Sequence, residues 1–372
     1  MASLSYSTIL DNLQELKRQI IVSTLSKYNS YPKTKLKYLT KFIQATVYPY
    51  NKEIWKTKTT EHEIAIVTAG KTFIYGYGEK QNHPCFSKPC ILFDDFTTDC
   101  KYIDIPFYFP SSAGKIILNN KNTDIKWLYY TILSLRGTVE TKDHGRHWIE
   151  VYSNIEVPNI PLHEQQIISK YLDEKIKYLD EKIKYTLSLK ESLEKLKYSL
   201  ISEKIKTCAN KFIPSKRFFS TKRGLVLSVD KISNLQTDIY KYPVYSSQTT
   251  NDGLVGFYNS YLFEKSITWT TDGAKAGTFV YRDKKYFATN VCGTLTPISK
   301  NIDSKFYCYC FMANSHEQKI DGAMMPRMMG EDVQKILLPL VDITTQNKIA
   351  VWLDKKISWL DSKIKLLGGK NE

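Results

Sequence analysis

The stretch 155–184, IEVPNIPLHEQQIISKYLDEKIKYLDEKIK, is answered by 336–365, ILLPLVDITTQNKIAVWLDKKISWLDSKIK, at a constant offset of 181 with no gap. Thirteen of the 30 positions are identical, and Pro158, Gln165, Leu172, Ile176, Leu179 and Ile183 meet Pro339, Gln346, Leu353, Ile357, Leu360 and Ile364. The spacing of these apolar residues is 4, 3, 4, an a/d seam with Lys, Glu and Asp on the other faces. The heptad YLDEKIK occurs twice unchanged, at 171–177 and 178–184. Both segments therefore predict long helices, and Pro158 and Pro161 stand just before the first, where proline is tolerated.

Outward from this pair the duplication continues. LDNLQELKRQII (10–21) lies over KESLEKLKYSLI (190–201) at offset 180, matching Leu13, Leu16, Lys17 and Ile21 with Leu193, Leu196, Lys197 and Ile201. Beyond Ile183 the seam slips and is expected to resume at Leu189, Leu193, Leu196 and Leu200, a stutter in the coiled coil. Arg146 meets Arg327 at the offset of 181. The chain thus reads as two copies of one unit, joined in a circle and cut inside a helix. The N-terminal and C-terminal helices together are the counterpart of the central one, each antiparallel to it.

Between the helices the texture changes. Residues 32–154 and 212–335 are rich in Tyr, Phe, Thr, Ser and Gly, with short alternating runs such as ITWTT (267–271) and turn signals at Asn251-Asp252-Gly253 and Asp272-Gly273. Each is expected to be a mostly β domain with a few helices, at 125–135 and 304–314. The division that follows is an N-terminal helix over 1–30, a β domain over 31–158, a central helical spacer over 159–208, a second β domain over 209–340 and a helix over 341–372. The fold class is α+β in circular pseudo-twofold repeat. Similarity between the two β domains is weak where that between the helices is strong, so a shared frame carries two different readers.

Three hundred and seventy-two residues with 42% hydrophobic content allow two or three domains, each with its own core. No apolar run approaches the roughly 18–20 residues of a membrane span, and no signal-peptide pattern opens the sequence. Seven scattered cysteines without a CxxC pair fit reduced cytoplasmic thiols. The net charge of +15 points to a polyanion, most readily nucleic acid. Its placement is specific. Residues 31–60 carry seven lysines against Glu53, and 206–231 carry seven basic groups against Asp230, each run opening a β domain at an equivalent point of the repeat. Phosphate neutralisation requires such clustering, and Lys33, Lys35, Lys37, Lys216 and Arg217 are the candidates for it.

Base reading needs side chains on surface loops that donate and accept hydrogen bonds. Ser246, Ser247, Gln248, Thr249, Thr250 and Asn251 form one such loop, and Thr271, Asp272 and Lys275 another. Lys71, Thr72, Lys80 and Asn82 occupy comparable ground in the first β domain, and Arg146 and Arg327 are candidates matched across the repeat. Ala65 to Thr72 satisfies a permissive phosphate-loop pattern, but its first glycine is alanine and FIYGY (73–77) looks like a strand where a helix should follow. No Asn/Asp-Pro-Pro-aromatic motif, GxGxxG, HExxH or GxSxG occurs, and His144 and His147 lack a third ligand. Together these absences point to a binding module, with no catalytic and no metal residues assigned.

Two β-rich domains alternating with two helical regions resemble the specificity subunits of Type I restriction–modification systems, and the wording is close. YPVYSSQTTNDGLVGFYN (242–259), ITWTTDGAKAGTFVYR (267–282) and TNVCGTL (289–295) look like the second target-recognition domain of that family. ILFDDFTTDCKYIDIPF (91–107) and HGRHWIEVYSNIEVPNIPLHEQQIISKYLDEKI (144–176) look like a first one and its helix. The family's usual PLPPLEEQ stands here as PNIPLHEQQ (158–166) and PLVDITTQN (339–347). The resemblance implies a chain without activity of its own, each domain reading one half of a split, non-palindromic DNA sequence. It also implies two methyltransferase subunits docked on the helices, Leu172, Ile176, Leu179, Ile183, Leu353, Ile357, Leu360 and Ile364 among them. Restriction subunits would join, and S-adenosylmethionine, ATP and magnesium would be bound by those partners. The rival readings are a stand-alone DNA-modifying enzyme and a coiled-coil scaffold for proteins.

Overall fold

The computed structural model describes residues 8–44, 64–68, 74–78, 80, 84–109, 113–138, 146–248, 250–273, 275–320 and 327–368. They fall into two compact units: an N-terminal one, Asp11–Lys184, and a C-terminal one, Tyr185–Glu372 with Met1–Leu10.

The first unit is made by α1 (Ile9–Ser26), β1 (Lys33–Lys35), α2 (Leu36–Leu39), β2 (Thr40–Gln44), β3 (Ile64–Val67), β4 (Ile74–Gly78), β5 (Cys90–Asp94), β6 (Cys100–Ile103), β7 (Phe107–Tyr108), β8 (Gly114–Asn119), α3 (Ile125–Ser134), α4 (His147–Glu150), β9 (Glu156–Pro158) and the first half of α5 (Leu162–Lys206). Its sheets are β2-β8-β5-β6, β4-β3-β7 and the ribbon β1-β9. The second half of α5 opens the other unit. There follow β10 (Phe212–Pro214), β11 (Phe219–Arg223), β12 (Tyr242–Tyr245), β13 (Leu254–Tyr258), β14 (Ser266–Thr270), β15 (Phe279–Arg282), β16 (Phe287–Ala288), β17 (Cys292–Pro297), α6 (Ser304–Ile320), α7 (Gly330–Lys335), β18 (Leu337–Pro339) and α8 (Ile343–Leu367). Its sheets are β11-β17-β14-β15, β13-β12-β16 and β10-β18.

Strand for strand the two orders are the same. Even the irregularities agree, with a register shift at Ile66/Val67 in one unit and at Val244/Tyr245 in the other. The central strands β5 and β14 are buried along their whole length, as expected of strands covered on both faces.

The duplication holds at single side chains. Lys17 pairs with Asp180 at 2.6 Å in the N-terminal unit, and Lys197 pairs with Asp361 at 2.6 Å in the C-terminal one. Gln165 Oε1 accepts from the Asp124 amide at 2.8 Å, and Gln346 Oε1 accepts from the Asp303 amide at 2.7 Å. Tyr130 donates to Asp173 at 2.8 Å and Tyr309 to Asp354 at 2.7 Å. Part-exposed ion pairs contribute little stability, so these pairs matter as markers of a common register rather than as energy.

Within the N-terminal unit, Lys17–Asp180 and the Tyr31 hydroxyl on Glu164 set α1 antiparallel to the first half of α5. Within the C-terminal unit, Lys197–Asp361 and the ammonium of Lys204 over the Trp352 ring do the same for α8 and the second half. The seam of both helices is buried at Leu172, Ile176 and Leu179 and at Leu353, Ile357 and Leu360, with Ile183 and Ile364 half-buried. These helices are not bare spacers. Leu172 and Ile176 share one core with Phe93, Trp127 and Trp148, and Leu353 and Ile357 share one with Trp269, Phe306 and Phe311.

The expected continuation of the seam through Leu189, Leu193, Leu196 and Leu200 is partly wrong. Leu189 and Leu196 are exposed, as is Leu16, the counterpart of Leu196. Lys17 and Lys197 stand in the seam instead. Their stems cover apolar surface while their ammonium groups reach the aspartates. The segment PLVD also has a physical role. Asp342 caps α8 by accepting from the Thr345 amide at 3.0 Å. The helix ends at Gly368, whose φ of 84° suits glycine.

Candidate nucleic-acid interface

The candidate residues separate into two places in each unit. Lys33 and Lys35 lie on β1, hydrogen-bonded to β9, and Lys37 lies on α2, where its ammonium donates to Asn154 Oδ1 at 3.1 Å. Lys33 and Lys37 are exposed, and Lys35 is half-buried. Lys216 and Arg217 are exposed on the short 3₁₀ turn Ser215–Arg217, which stands where α2 stands in the other unit. In both units the turn is tied to the strand that precedes the long helix, by the Leu36 amide on Ile155 O and the Ser215 amide on Ile336 O.

The loop candidates are elsewhere. The five residues of β11, at about 3.3 Å each, set Arg223 at the far end of a strand roughly 16 Å long from the Ser215–Arg217 turn that precedes it. The structure gathers the second group around the Arg223 end. The Thr270 hydroxyl donates to Ser247 O at 3.4 Å, the Thr289 hydroxyl donates to Ser246 Oγ at 3.0 Å, and Gln248 Nε2 donates to Leu254 O at 2.6 Å. Asn251 and Asp252 both have φ near 51°, followed by Gly253 at 83°. Left-handed backbone is least costly for Asn, Asp and Gly, so this turn needs the sequence it has. The Ser246 amide closes it on Gly253 O at 2.9 Å. Arg282 supports the loop from beneath. Its guanidinium stacks 3.5 Å from the centre of the Tyr245 ring, and Nη2 donates to Asp252 O.

Arg327 joins the same group. The Met328 amide donates to Thr271 O at 2.8 Å, and Trp269 Nε1 donates to Met328 O at 2.9 Å. The residue after Arg327 is thereby pinned on both sides to the strand end at β14. Thr271, itself buried, donates to Asp272 Oδ2 at 2.7 Å, and Arg327 Nε donates to Asp272 Oδ1 at 2.9 Å. Hydrogen bonding by Thr271 holds the Asp272 carboxyl below the usual carboxylate range, and the charges of Arg327 and Arg223 act in the same direction. Lys275 is exposed on the adjoining turn.

Arg146 is presented in the same manner. The His147 amide donates to Asp95 O at 3.1 Å and the Trp148 amide to Asp95 Oδ1 at 2.8 Å. Asp95 is fixed by a buried ion pair with Lys115 at 3.1 Å, and Lys115 Nζ also donates to Gln44 Oε1 at 2.6 Å. Gln44 ends β2 as Arg223 ends β11. Arg223, counted in the sequence only as charge, and Arg282, read there only as part of a turn signal with Asp283, are the residues missed. Their signal was position at the end of a strand, which charge alone does not carry.

Lys80 is exposed. Lys71, Thr72, Asn82 and Thr249 lie outside the described residues, as does the side chain of Thr250. The phosphate-loop pattern leads from β3 into β4, which pair antiparallel, so no helix follows it. Among the described residues no group of three His, Cys, Asp or Glu could hold a metal ion, and no helix is long and apolar enough to cross a membrane.

Residues 227–371 match the family described as Type I restriction modification DNA specificity domain. Over 134 residues the chain is 37% identical to a putative type I specificity subunit N-terminus of Mycoplasma pneumoniae, covering 36% of this chain and 70% of that protein. It is 36% identical over 124 residues to the EcoR124I/EcoR124II specificity subunit of Escherichia coli, 32% of this chain and 30% of that one. The match thus spans about a third of the Escherichia coli relative. A solved chain of a type I R-M system superimposes with a TM-score of 0.56 at 11% identity, covering 90% of this chain and 94% of that one. That likeness speaks for the fold alone.

Proposed function

Since this chain belongs to the specificity subunits of Type I restriction–modification systems, we propose that it is the DNA-reading, non-catalytic component of such a complex. Each unit reads one half of a bipartite, non-palindromic target. The target-recognition domains are residues 31–158 and 209–340, and the helices of 159–208 and 341–372, completed by 1–30, carry two methyltransferase subunits. Those partners bind S-adenosylmethionine and methylate the DNA, and restriction subunits with ATP and magnesium join them in the cytoplasm. The observation that carries this reading is the doubled frame. Two units with one strand order and one set of helix contacts present different side chains at equivalent positions, Gln44 and Phe96 in one and Arg223 and Asp272 in the other, beside an arginine common to both, Arg146 and Arg327. The lysines of the β1–β9 and β10–β18 ends would contact phosphates, leaving the loops to read bases.

The test is reconstitution with methyltransferase subunits of a Type I system. Methylation at a two-part sequence that requires this chain supports the reading. Methyl transfer by the purified chain alone would favour the stand-alone enzyme. DNA-independent, salt-insensitive protein association without any DNA binding would favour the scaffold.

A further inference from the structure

The C-terminal unit carries an exposed cluster, Arg223–Asp272–Arg327, whose hydrogen-bonding capacity is one-sided. Asp272 Oδ1 accepts from Arg327 Nε at 2.9 Å, and Oδ2 accepts from Thr271 Oγ1 at 2.7 Å and Arg223 Nη2 at 3.3 Å. Both carboxylate oxygens are therefore engaged. What the cluster offers a ligand is donors. The Arg327 side chain is 75% exposed, and no described group takes its two Nη amino groups. Its backbone is held by the two hydrogen bonds of Met328 to the end of β14, so the guanidinium is fixed at both ends of its side chain.

We infer that Arg327, positioned by Asp272, reads a guanine in the half-site contacted by the C-terminal unit, with Arg223 beside it. This rests on the DNA-reading function proposed above and specifies its chemistry. The major-groove edge of guanine presents O6 and N7, two acceptors that match a guanidinium fork. Adenine sets an N6 donor against that fork. Cytosine presents its N4 amino group as a donor, which a guanidinium, having donors only, cannot meet. The competing ligand is a phosphodiester, and the carboxylate weakens the attraction of Arg327 for it. A negative charge bonded to the reading arginine opposes an anion at close range, whereas a neutral base edge feels mainly the donors. Asp272 also restricts the rotamers of Arg327 before DNA arrives, which lowers the entropy lost on binding. In the N-terminal unit Phe96, exposed, stands where Asp272 stands, so the cluster belongs to one half-site only.

The experiment uses the complex of the full chain with its methyltransferase subunits. Mapping of methylated sites defines both half-sites, and exchange of residues 212–335 assigns one of them to the C-terminal unit. Affinity is then measured on duplexes with each base at each position of that half-site. Arg327→Lys keeps the charge and loses the fork. One G·C position should become degenerate, cognate affinity should fall roughly five- to 150-fold, and affinity for random DNA should be kept. Asp272→Asn should raise affinity for random DNA while lowering the guanine preference, a pair of changes that a folding defect does not produce. Three results overturn the inference: a C-terminal half-site without a G·C pair, base preferences unmoved by Arg327→Lys, or a loss equal for all sequences with a shallower salt slope. A wild-type complex with no bipartite target overturns the proposed function and this inference together, whereas a bipartite target indifferent to Arg327 overturns the inference alone.

Discussion

Replacing Leu353 by Ala and, separately, Leu196 by Ala distinguishes the observed helix register from the one the leucine spacing suggests. Leu353 is fully buried and packs in the core that also holds Ile201, Ile349, Ile357 and Trp269, whereas Leu196 is 51% exposed. Truncating Leu353 removes three carbon groups at about 0.8 kcal/mol each, near 2.4 kcal/mol of transfer free energy. The cavity left behind raises the cost to about 3–4 kcal/mol. For a unit of roughly 200 residues the unfolding entropy is about 0.4 kcal/mol/K, so the melting temperature should fall by about 8–10 °C. Leu196→Ala should cost no more than about 1 kcal/mol, or roughly 2 °C. Leu172→Ala against Leu16→Ala should repeat the contrast in the N-terminal unit. Calorimetry of the full chain reads both transitions. If Leu196→Ala lowers the melting temperature as much as Leu353→Ala, the lysine is not in the seam and the register described above is wrong.

Changing Lys33, Lys35 and Lys37 to Ala together should weaken binding to all DNA sequences alike. Each lost phosphate contact should flatten the dependence of log affinity on log salt by about 0.9, and an unchanged slope removes these lysines from the interface. Burial pushes the thiols of Cys90, Cys292 and Cys308 up to about 12, whereas Cys85 and Cys208 are only half-buried. In the native chain at pH 8 a thiol reagent should therefore label Cys85 and Cys208 first, and rapid labelling of Cys292 or Cys308 would contradict the core assigned to the C-terminal unit.

The helices were legible because a buried seam constrains every third or fourth residue, and two copies of it cannot drift far. The shared strand order of the β domains was not. A strand needs only a pleat-compatible, half-buried residue at each inward position, so Ser266–Thr270 and Cys90–Asp94 satisfy the same place with almost no identity. Turn residues were legible where the backbone demands them, as at Asn251-Asp252-Gly253 with its left-handed angles. Leu16 and Leu196 misled because an a/d pattern counts leucines and not the apolar stem of a lysine beside them. Arg327 was found through the repeat, but Arg223 is brought to the same Asp272 by the pairing of β11 with β17 and of β17 with β14, a contact across 49 residues of sequence that no local pattern encodes.

In the function proposed above, each unit reads its own half of one DNA target. This is tested most directly by exchanging residues 212–335 for the corresponding segment of another specificity subunit and mapping methylated sites genome-wide in the presence of the methyltransferase subunits. Independent reading by the two units predicts that one half-site changes to the donor's while the other stays as it was. A change in both halves, or in neither, would contradict it.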